Sequence, residues 1–171
     1  MANAVIVVDM IVAFMEKGRS LYCGDRARTI IPRVREILDR EVAQGSHIFF
    51  LMDSHRPDDK EFQMFPPHAI AGTDESQIIP ELVGYPGDRI PKTRYSGFFR
   101  TDLEKRLEAL KPDKVIVVGV CTNICVLHTV ADLRNRDYQV EVPADAVASF
   151  SDEAHEWALK HMKEVLGATI V

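Results

Sequence analysis

The chain has 171 residues, which is enough for one domain with a substantial core, and no shift in composition suggests a second domain. Hydrophobic residues make up 46% of it, and 21 basic against 26 acidic side chains give a formal net charge of −5. This ordinary globular balance argues against nucleic acid as a partner, because no basic surface is available to bind a phosphate backbone. We therefore interpret residues 1–171 as one domain.

Short apolar runs and helically spaced apolar residues alternate along the chain. The predicted strands lie at residues 4–8, 47–52, 89–91, 114–118, 138–142 and 168–171. The predicted helices lie at residues 30–42, 101–110, 122–136 and 154–165. This alternation predicts a three-layer αβα fold with a central, mainly parallel sheet. The irregular stretch at 54–89 is long enough to suggest a site or a lid.

The N-terminal segment and the cysteines indicate the cellular compartment of the protein. The first residues lack the basic region and the long apolar core of a signal peptide, and no apolar run is long enough to span a membrane. We therefore expect a cytoplasmic protein without a membrane partner. Cys23, Cys121 and Cys125 are an odd number in a chain that needs no disulfide framework. The spacing of the last two matches neither a zinc ribbon nor a thioredoxin-like motif.

Cys125 is a candidate nucleophile. The strand that ends near Gly119 leads through a tight turn into a helix whose first turn contains this cysteine. The N–H groups and the positive end of a helix dipole favour a thiolate, and Thr122 or Asn123 would cap the helix. The alternative is that Cys125 is an inert thiol of the hydrophobic core.

Charged residues follow three of the predicted strands. Asp9 comes directly after the first strand, Asp53 after the second and Lys92 after the third. Ligands bind beyond the carboxyl ends of parallel strands, and buried charges are costly unless they are paired, so we expect these residues to share a pocket. Asp9, Lys92 and Cys125 would form a proton acceptor, a cation and a nucleophile for acyl transfer. Individually, Asp9 could be a helix cap or ion-pair partner, and Lys92 a solvated loop charge.

Potential metal ligands occur in the irregular stretch after the second strand. Asp53 and His55 are separated by one residue, and Glu61 and His68 follow. Carboxylate and imidazole groups in this pattern suit zinc or a similar divalent ion that keeps open coordination positions. Asp-x-His alone is a weak signal, so the prediction depends on all four residues. The remaining histidines are interpreted as structural or surface residues: His47, His128, His155 and His161.

Several motifs, taken together, resemble one known family. They are Asp9-Met-x-x-x-Phe14, Asp53-x-His55, Pro-Pro-His68-x-x-x-Gly72-Thr73, Lys92-Thr-Arg-Tyr-Ser-Gly-Phe98 and Gly119-Val-Cys-Thr-Asn-Ile-Cys125. In this order, over nearly the whole chain, they resemble the isochorismatase-like cysteine hydrolases, and among them most closely the nicotinamidases. The resemblance implies a Rossmann-like αβα fold and hydrolysis of nicotinamide to nicotinic acid and ammonia, a step of NAD salvage, through a cysteine thioester.

The resemblance also implies a role for each matching residue. The catalytic triad would be Asp9, Lys92 and Cys125. One divalent metal ion, zinc in the first place with manganese or iron as alternatives, would be held by Asp53, His55 and His68. Glu61 matches a further ligand that is found in only part of the family.

The remaining implied residues would bind the substrate. Phe14 and Phe65 would sandwich the pyridine ring, although tryptophan is common at the second position. A cis peptide and the oxyanion hole would fall at Val120-Cys121, with the backbone N–H groups of Cys121 and Cys125 as donors. Cys121 replaces a small residue that is usual in the family.

Other functions remain compatible with these residues. The nearest alternatives are an amidase for another small amide, a carbamoyl-group hydrolase and a true isochorismatase. A metal-water hydrolase with a structural Cys125 and a catalytically silent small-molecule-binding protein are alternatives of different classes. Since exposed sheet edges in related folds are often covered by another subunit, we expect a homo-oligomer.

Overall fold

Seven short strands, formed mainly by β-branched and aromatic residues, build the centre of the protein. The computed structural model describes residues 2–171. The strands are β1 (Ala4–Val8), β2 (His47–Asp53), β3 (Asp88–Lys92), β4 (Val115–Val120), β5 (Val140–Val142), β6 (Val147–Ala148) and β7 (Thr169–Ile170). They pair in parallel in the order β3-β2-β1-β4-β5-β7, and β6 pairs with the end of β4.

Helices cover both faces of this sheet. They are α1 (Val12–Met15), α2 (Asp25–Arg28), α3 (Ile31–Ala43), α4 (Leu103–Leu110), α5 (Leu127–Asn135) and α6 (Asp152–Glu164). On one face α3 buries Val34, Ile37 and Leu38 against the sheet. On the other face α4, α5 and α6 bury leucine, valine and methionine side chains. The predicted three-layer α/β fold is confirmed. No helix within residues 2–171 combines the length and the apolarity needed to cross a membrane.

Several predicted element boundaries were wrong. β4 continues to Val120 because the two-residue strand β6, which is too short to give an alternation signal, pairs with Gly119 and Val120. The helices α1 and α2 were not predicted, because four residues are too few to show helical periodicity. The predicted helix at 154–165 ends at Glu164, and two of the apolar side chains in that range, Trp157 and Val165, are mostly exposed.

The stretch between β2 and β3 is ordered by local backbone contacts. It contains two 3₁₀ turns, Lys60–Gln63 and Asp74–Ser76, and an isolated parallel bridge between His55 and Ile70. The N–H of His55 donates to the carbonyl of Ala69 at 2.9 Å, and the N–H of Ala71 donates to the carbonyl of His55 at 2.8 Å. These bonds bring the two ends of the predicted metal-ligand stretch side by side.

Gly119 allows the two central strands to approach each other closely at the end where the charged residues lie. Its φ of +114° lies in a region that side chains rarely adopt. A Cβ at this position would lie 2.8 Å from the backbone nitrogen of Val8 and even closer to its carbonyl oxygen. Only glycine therefore fits at position 119 when β1 and β4 pair.

The substitution Gly119→Ala should destabilise the protein by about 2–4 kcal/mol, because it adds both a backbone clash and an unfavourable φ. Urea unfolding would measure the change. Gly84→Ala is the matched control, since nothing lies within 4 Å of a Cβ built there, and its effect should stay within about 1 kcal/mol. Equal stability of the two variants would contradict this account of Gly119.

Candidate active site

The register of the parallel strands places the charged residues at one edge of the sheet. Asp53 pairs with Lys92 across β2 and β3, and Val8 pairs with Gly119 across β1 and β4. Asp9, which directly follows β1, therefore lies between these pairs. Its φ of +49° is uncommon for a residue with a side chain and is typical of functional sites that hold a constrained backbone.

Lys92 connects the predicted catalytic residues. Its Nζ lies 2.9 Å from Asp9 Oδ2, 2.5 Å from Asp53 Oδ1 and 3.5 Å from Cys125 Sγ. The lysine side chain is fully buried, and both carboxylates are nearly so. The structure thus brings the three residues of the predicted triad together. It also makes Asp53 a direct partner of Lys92, which was not predicted.

The pKa values of the buried groups follow from this arrangement. Burial and then the charge of Asp53 raise the pKa of Asp9 to about 6, against the opposing effect of Lys92. Burial alone would lower the pKa of Lys92, but the charges of Asp53 and Asp9 raise it above its ordinary value. Lys92 is therefore a permanent cation, whereas Asp9 can take up and release a proton near neutral pH.

The turn that contains Cys125 differs from the predicted helix start. Residues Thr122–Val126 form a π-helical turn that continues into α5, and no side chain caps it. Thr122 Oγ1 bonds to His155 Nδ1 at 2.8 Å, and Asn123 Oδ1 accepts from Ser149 at 2.5 Å. The prediction that Thr122 or Asn123 caps this helix was wrong, because Thr122 has its partner in α6 and Asn123 has its partner in the segment that leads into α6.

Burial raises the pKa of the Cys125 thiol, and Lys92 opposes this only in part. The expectation that a helix dipole favours a resting thiolate is therefore not supported. The thiol needs a proton acceptor instead. An oxygen of Asp9 lies within 4.8 Å of the sulfur.

The predicted metal ligands form one buried cluster. One ligand atom from each of Asp53, His55, Glu61 and His68 lies within 4.8 Å of all the others. His55 Nε2 is 3.5 Å from Asp53 Oδ2 and 3.2 Å from Glu61 Oε2. His68 Nε2 is 3.8 Å and 3.4 Å from the same two oxygens.

Both imidazole rings are oriented by their other nitrogen. His55 Nδ1 donates to Asp59 Oδ2 at 3.0 Å, and His68 Nδ1 donates to the carbonyl of Pro66 at 2.8 Å. Each Nε2 consequently points into the cluster, which is the arrangement typical of histidine metal ligands. Within residues 2–171, His55 Nε2 is fully buried and makes no hydrogen bond of acceptable geometry. This orphaned nitrogen and the donor set fit a divalent metal ion.

Asp59 is a residue of the site that sequence reasoning missed. Its carboxylate accepts from His55 Nδ1, from the backbone N–H of Glu61 at 2.9 Å, and from Arg94 at 3.0 and 3.1 Å. It also precedes the 3₁₀ turn that carries Glu61. An aspartate before Glu61 is recognisable as a helix cap, but its contacts with His55 and Arg94 arise only from the fold.

A small pocket joins the thiol to the ligand cluster. It is lined by Asp9, Cys125 and three of the four cluster residues, Asp53, Glu61 and His68. The predicted substrate residues Phe14, Phe65 and Val120 all line it. Its wall also contains residues that were not predicted, because apolar side chains give no signal of a site: Leu21, Tyr95, Ile124 and Phe150.

The peptide bond between Val120 and Cys121 is cis, as the resemblance implies. Cys121 lines the pocket next to Cys125. The backbone at the end of β4 therefore faces the space in which a substrate carbonyl would meet the thiol.

Comparison with known proteins identifies the family. The family model described as the isochorismatase domain matches residues 3–171. The chain belongs to the isochorismatase family. A relative from Bacillus subtilis (strain 168), the isochorismatase family protein PncA, is 34% identical over 99% of both chains.

Solved structures of isochorismatase-family hydrolases share the whole fold. The pyrazinamidase/nicotinamidase of Streptococcus mutans UA159 superposes with a TM-score of 0.93, at 36% identity, over 99% of this chain and 100% of that chain. The zinc complex of Pyrococcus horikoshii pyrazinamidase has a TM-score of 0.91, at 31% identity, over 100% and 99%. The N-carbamoylsarcosine amidase of Thermoplasma acidophilum has a TM-score of 0.90, at 33% identity, over 99% and 95%. The protein is thus a hydrolase of this family.

Asp59→Asn should weaken metal binding about 10–100-fold, because a neutral amide orients and polarises His55 less well than a carboxylate does. Titration of the metal-free protein with Zn²⁺, followed by calorimetry, would measure the dissociation constant. His68→Ala is the positive control and should bind less tightly than Asp59→Asn. An unchanged affinity in Asp59→Asn would contradict a role for this carboxylate in orienting His55.

Metal affinity should rise with pH. Burial would lower the pKa of both imidazoles, but the nearby carboxylates of Asp53 and Glu61 outweigh it and raise the pKa of His55 to about 10 and of His68 to about 9. Below pH 9 both rings of the metal-free protein carry an extra proton, which a metal ion must displace. The affinity should therefore increase by up to about 100-fold per pH unit between pH 6 and 8.

Competition with a chelator of known pH dependence would measure this slope. His68→Ala, which loses one of the two displaced protons, should show a slope of about one proton rather than two. A flat profile in the wild type would mean that the two histidines do not bind the ion.

Proposed function

We propose that the protein is a nicotinamidase that hydrolyses nicotinamide to nicotinic acid and ammonia. The observation that carries this proposal is that a thiol and a buried cluster of four potential metal ligands meet at one small pocket. A pyridine carboxamide has two groups that match them, a ring nitrogen for a metal ion and a carbonyl carbon for the sulfur. The similarity to pyrazinamidase and nicotinamidase structures supports the same substrate.

The substrate would be held by groups on both sides of the pocket. Phe14 and Phe65 flank the cluster, with ring centroids 5.6 Å and 6.4 Å from that of His68, and would stack on the pyridine ring. Asp53, His55, Glu61 and His68 would hold the divalent ion, with zinc as the first choice. When bound, the ion would offer an open coordination position to the ring nitrogen and so orient the carboxamide toward Cys125.

The Cys125 thiol would be activated as it attacks. Because its pKa is raised, it would transfer its proton to Asp9 while Sγ adds to the carboxamide carbon. Lys92, at 3.5 Å from Sγ, would stabilise the developing thiolate and keep Asp9 in place. The backbone N–H groups of Cys121 and Cys125 would stabilise the oxyanion.

Asp9 would then move the same proton again. It would protonate the departing amine, which leaves as ammonia, and a thioester would remain on Cys125. As a base, Asp9 would next activate a water molecule that releases nicotinic acid and regenerates the thiol. A pKa of about 6 suits these transfers, since both forms of the carboxyl group are accessible near neutral pH.

A second candidate is a hydrolase of small carbamoyl compounds. The similarity to N-carbamoylsarcosine amidase favours it, because that structure matches almost as well as the nicotinamidase-type structures. A carbamoyl substrate has no ring nitrogen, however, and could reach a bound metal ion only through another group, such as the carboxylate of N-carbamoylsarcosine.

Ammonia release from a panel of amides would test the proposal. Purified, metal-loaded protein should hydrolyse nicotinamide with a kcat/KM at least about 100-fold above that for benzamide, which has the same shape but lacks the ring nitrogen. It should also prefer nicotinamide to N-carbamoylsarcosine. Preference for the carbamoyl compound would establish the second candidate, and no turnover of any amide would indicate a binding protein.

Cys125→Ala should lower ammonia release from nicotinamide by at least about 1,000-fold, because the nucleophile is lost. The variant should keep its metal ion, since the sulfur is not part of the four-residue cluster, and metal analysis provides that control. Turnover close to wild type would support a metal-water hydrolase in which Cys125 is structural.

A further inference from the structure

A pair of thiols lies beside the proposed catalytic Cys125. Sγ of Cys23 is 3.4 Å from Sγ of Cys121. Both cysteines are free, and only 5% and 4% of their surfaces are exposed. The proposed hydrolysis uses the backbone of Cys121 but neither of these two side chains.

The two thiols come from different segments of the chain beside the pocket. Cys121 follows β4 and lines the pocket directly. Cys23 does not line the pocket but lies in the segment between α1 and α2, two residues after Leu21, which does line it. The backbone N–H of Cys23 donates to the carbonyl of Phe14 at 2.8 Å. A covalent bond between the sulfurs would therefore join the Phe14 side of the pocket to the oxyanion-hole side.

We propose that Cys23 and Cys121 form an oxidation site, at which a peroxide closes a disulfide across the pocket wall and slows turnover at Cys125. The formation of the cross-link rests only on the geometry of the two thiols. The loss of turnover rests in addition on the proposed function.

The oxidation would proceed in two steps. Cys121, the member of the pair that lines the pocket, would attack one peroxide oxygen as a thiolate. The O–O bond would break to give a sulfenic acid and, with the thiol proton, one water molecule. Cys23 would lose its proton and attack the Cys121 sulfur, and the S–O bond would break to release a second water molecule. The two thiols lose two electrons, which the peroxide accepts.

The pair should remain reduced until peroxide is abundant. The hydrogen bond to Cys23 and then burial raise the pKa of the Cys121 thiol. Only a small fraction is therefore thiolate at neutral pH, and the first step is slow. The cross-link would respond to oxidative stress rather than to ordinary conditions.

Closing the disulfide would disturb the attacking group. The sulfurs must move from 3.4 Å to about 2.05 Å apart, a combined shift of more than about 1 Å. The carbonyl of Cys121 accepts from the N–H groups of Ile124 at 3.0 Å and Val126 at 3.2 Å, on both sides of Cys125. The shift would thus reach the turn that carries the nucleophile, where displacements of this size are costly.

Oxidation of the metal-loaded wild type and of Cys23→Ser with hydrogen peroxide would test the proposal. Peptide mapping by mass spectrometry under non-reducing conditions would identify the cross-link. The wild type should yield a Cys23–Cys121 linked peptide and lose at least about 10-fold in kcat/KM for nicotinamide, and dithiothreitol should restore the activity. Before treatment, Cys23→Ser should have the same kcat/KM as the reduced wild type. After treatment, it should lose only the activity that oxidation of Cys125 itself removes.

Two results would overturn the proposal. One is oxidation of Cys125 in both proteins without any Cys23–Cys121 peptide, or with a link from Cys121 to Cys125 instead. The other is an unchanged kcat/KM in wild type that is fully cross-linked.

The rate of Cys125 alkylation by iodoacetamide separates this proposal from the proposed function. If the reduced wild type does not hydrolyse nicotinamide, the proposed function fails. A cross-linked protein whose Cys125 is alkylated at least about 10-fold more slowly than in the reduced form would still support the oxidation site.

Discussion

The site depends on the ion pairs that the buried ammonium group of Lys92 makes. This group contacts Asp9, Asp53 and the Cys125 sulfur in a region from which water is largely excluded. Without this cation, two neighbouring carboxylates would lie unpaired in the interior, at a cost of several kcal/mol. Because the ammonium is shared, it offsets only part of that charge. Burial and the remaining repulsion from Asp53 keep the pKa of Asp9 raised, and this is the property that the proposed proton transfer needs.

The sheet provides the geometry in which one cation can serve three partners. Parallel pairing aligns the carboxyl ends of β1, β2, β3 and β4, so groups far apart in the sequence meet without long connecting loops. Gly119 permits the close approach of β1 and β4. Asp9 then leaves the strand with a positive φ, which directs the chain out of the sheet where the pocket begins.

Much of this arrangement could be predicted from the sequence, for two physical reasons. Apolar runs that end in a charged residue indicate buried parallel strands, which is how Asp9 and Asp53 were found, whereas Lys92 follows only a brief strand candidate at 89–91. The metal ligands are chemically distinctive residues close together in the chain. Residues whose role depends on spatial neighbours were missed, such as Asp59 and the apolar pocket residues Leu21 and Ile124. The ionisation of Cys125 was misjudged, because burial cannot be judged from a strand-turn-helix pattern.

Arg94 has contacts on both sides of the site. Its guanidinium binds Asp59, which orients the metal ligand His55, while its backbone carbonyl accepts a hydrogen bond from Lys92 Nζ at 2.9 Å. Arg94 therefore connects the metal ligand His55, which would help to hold the substrate ring, with Lys92, which would stabilise the attacking sulfur. Substrate range would be difficult to alter from this side without also changing the rate of chemistry. New specificities would arise more readily at Leu21 and Phe150, which line the pocket without taking part in this network.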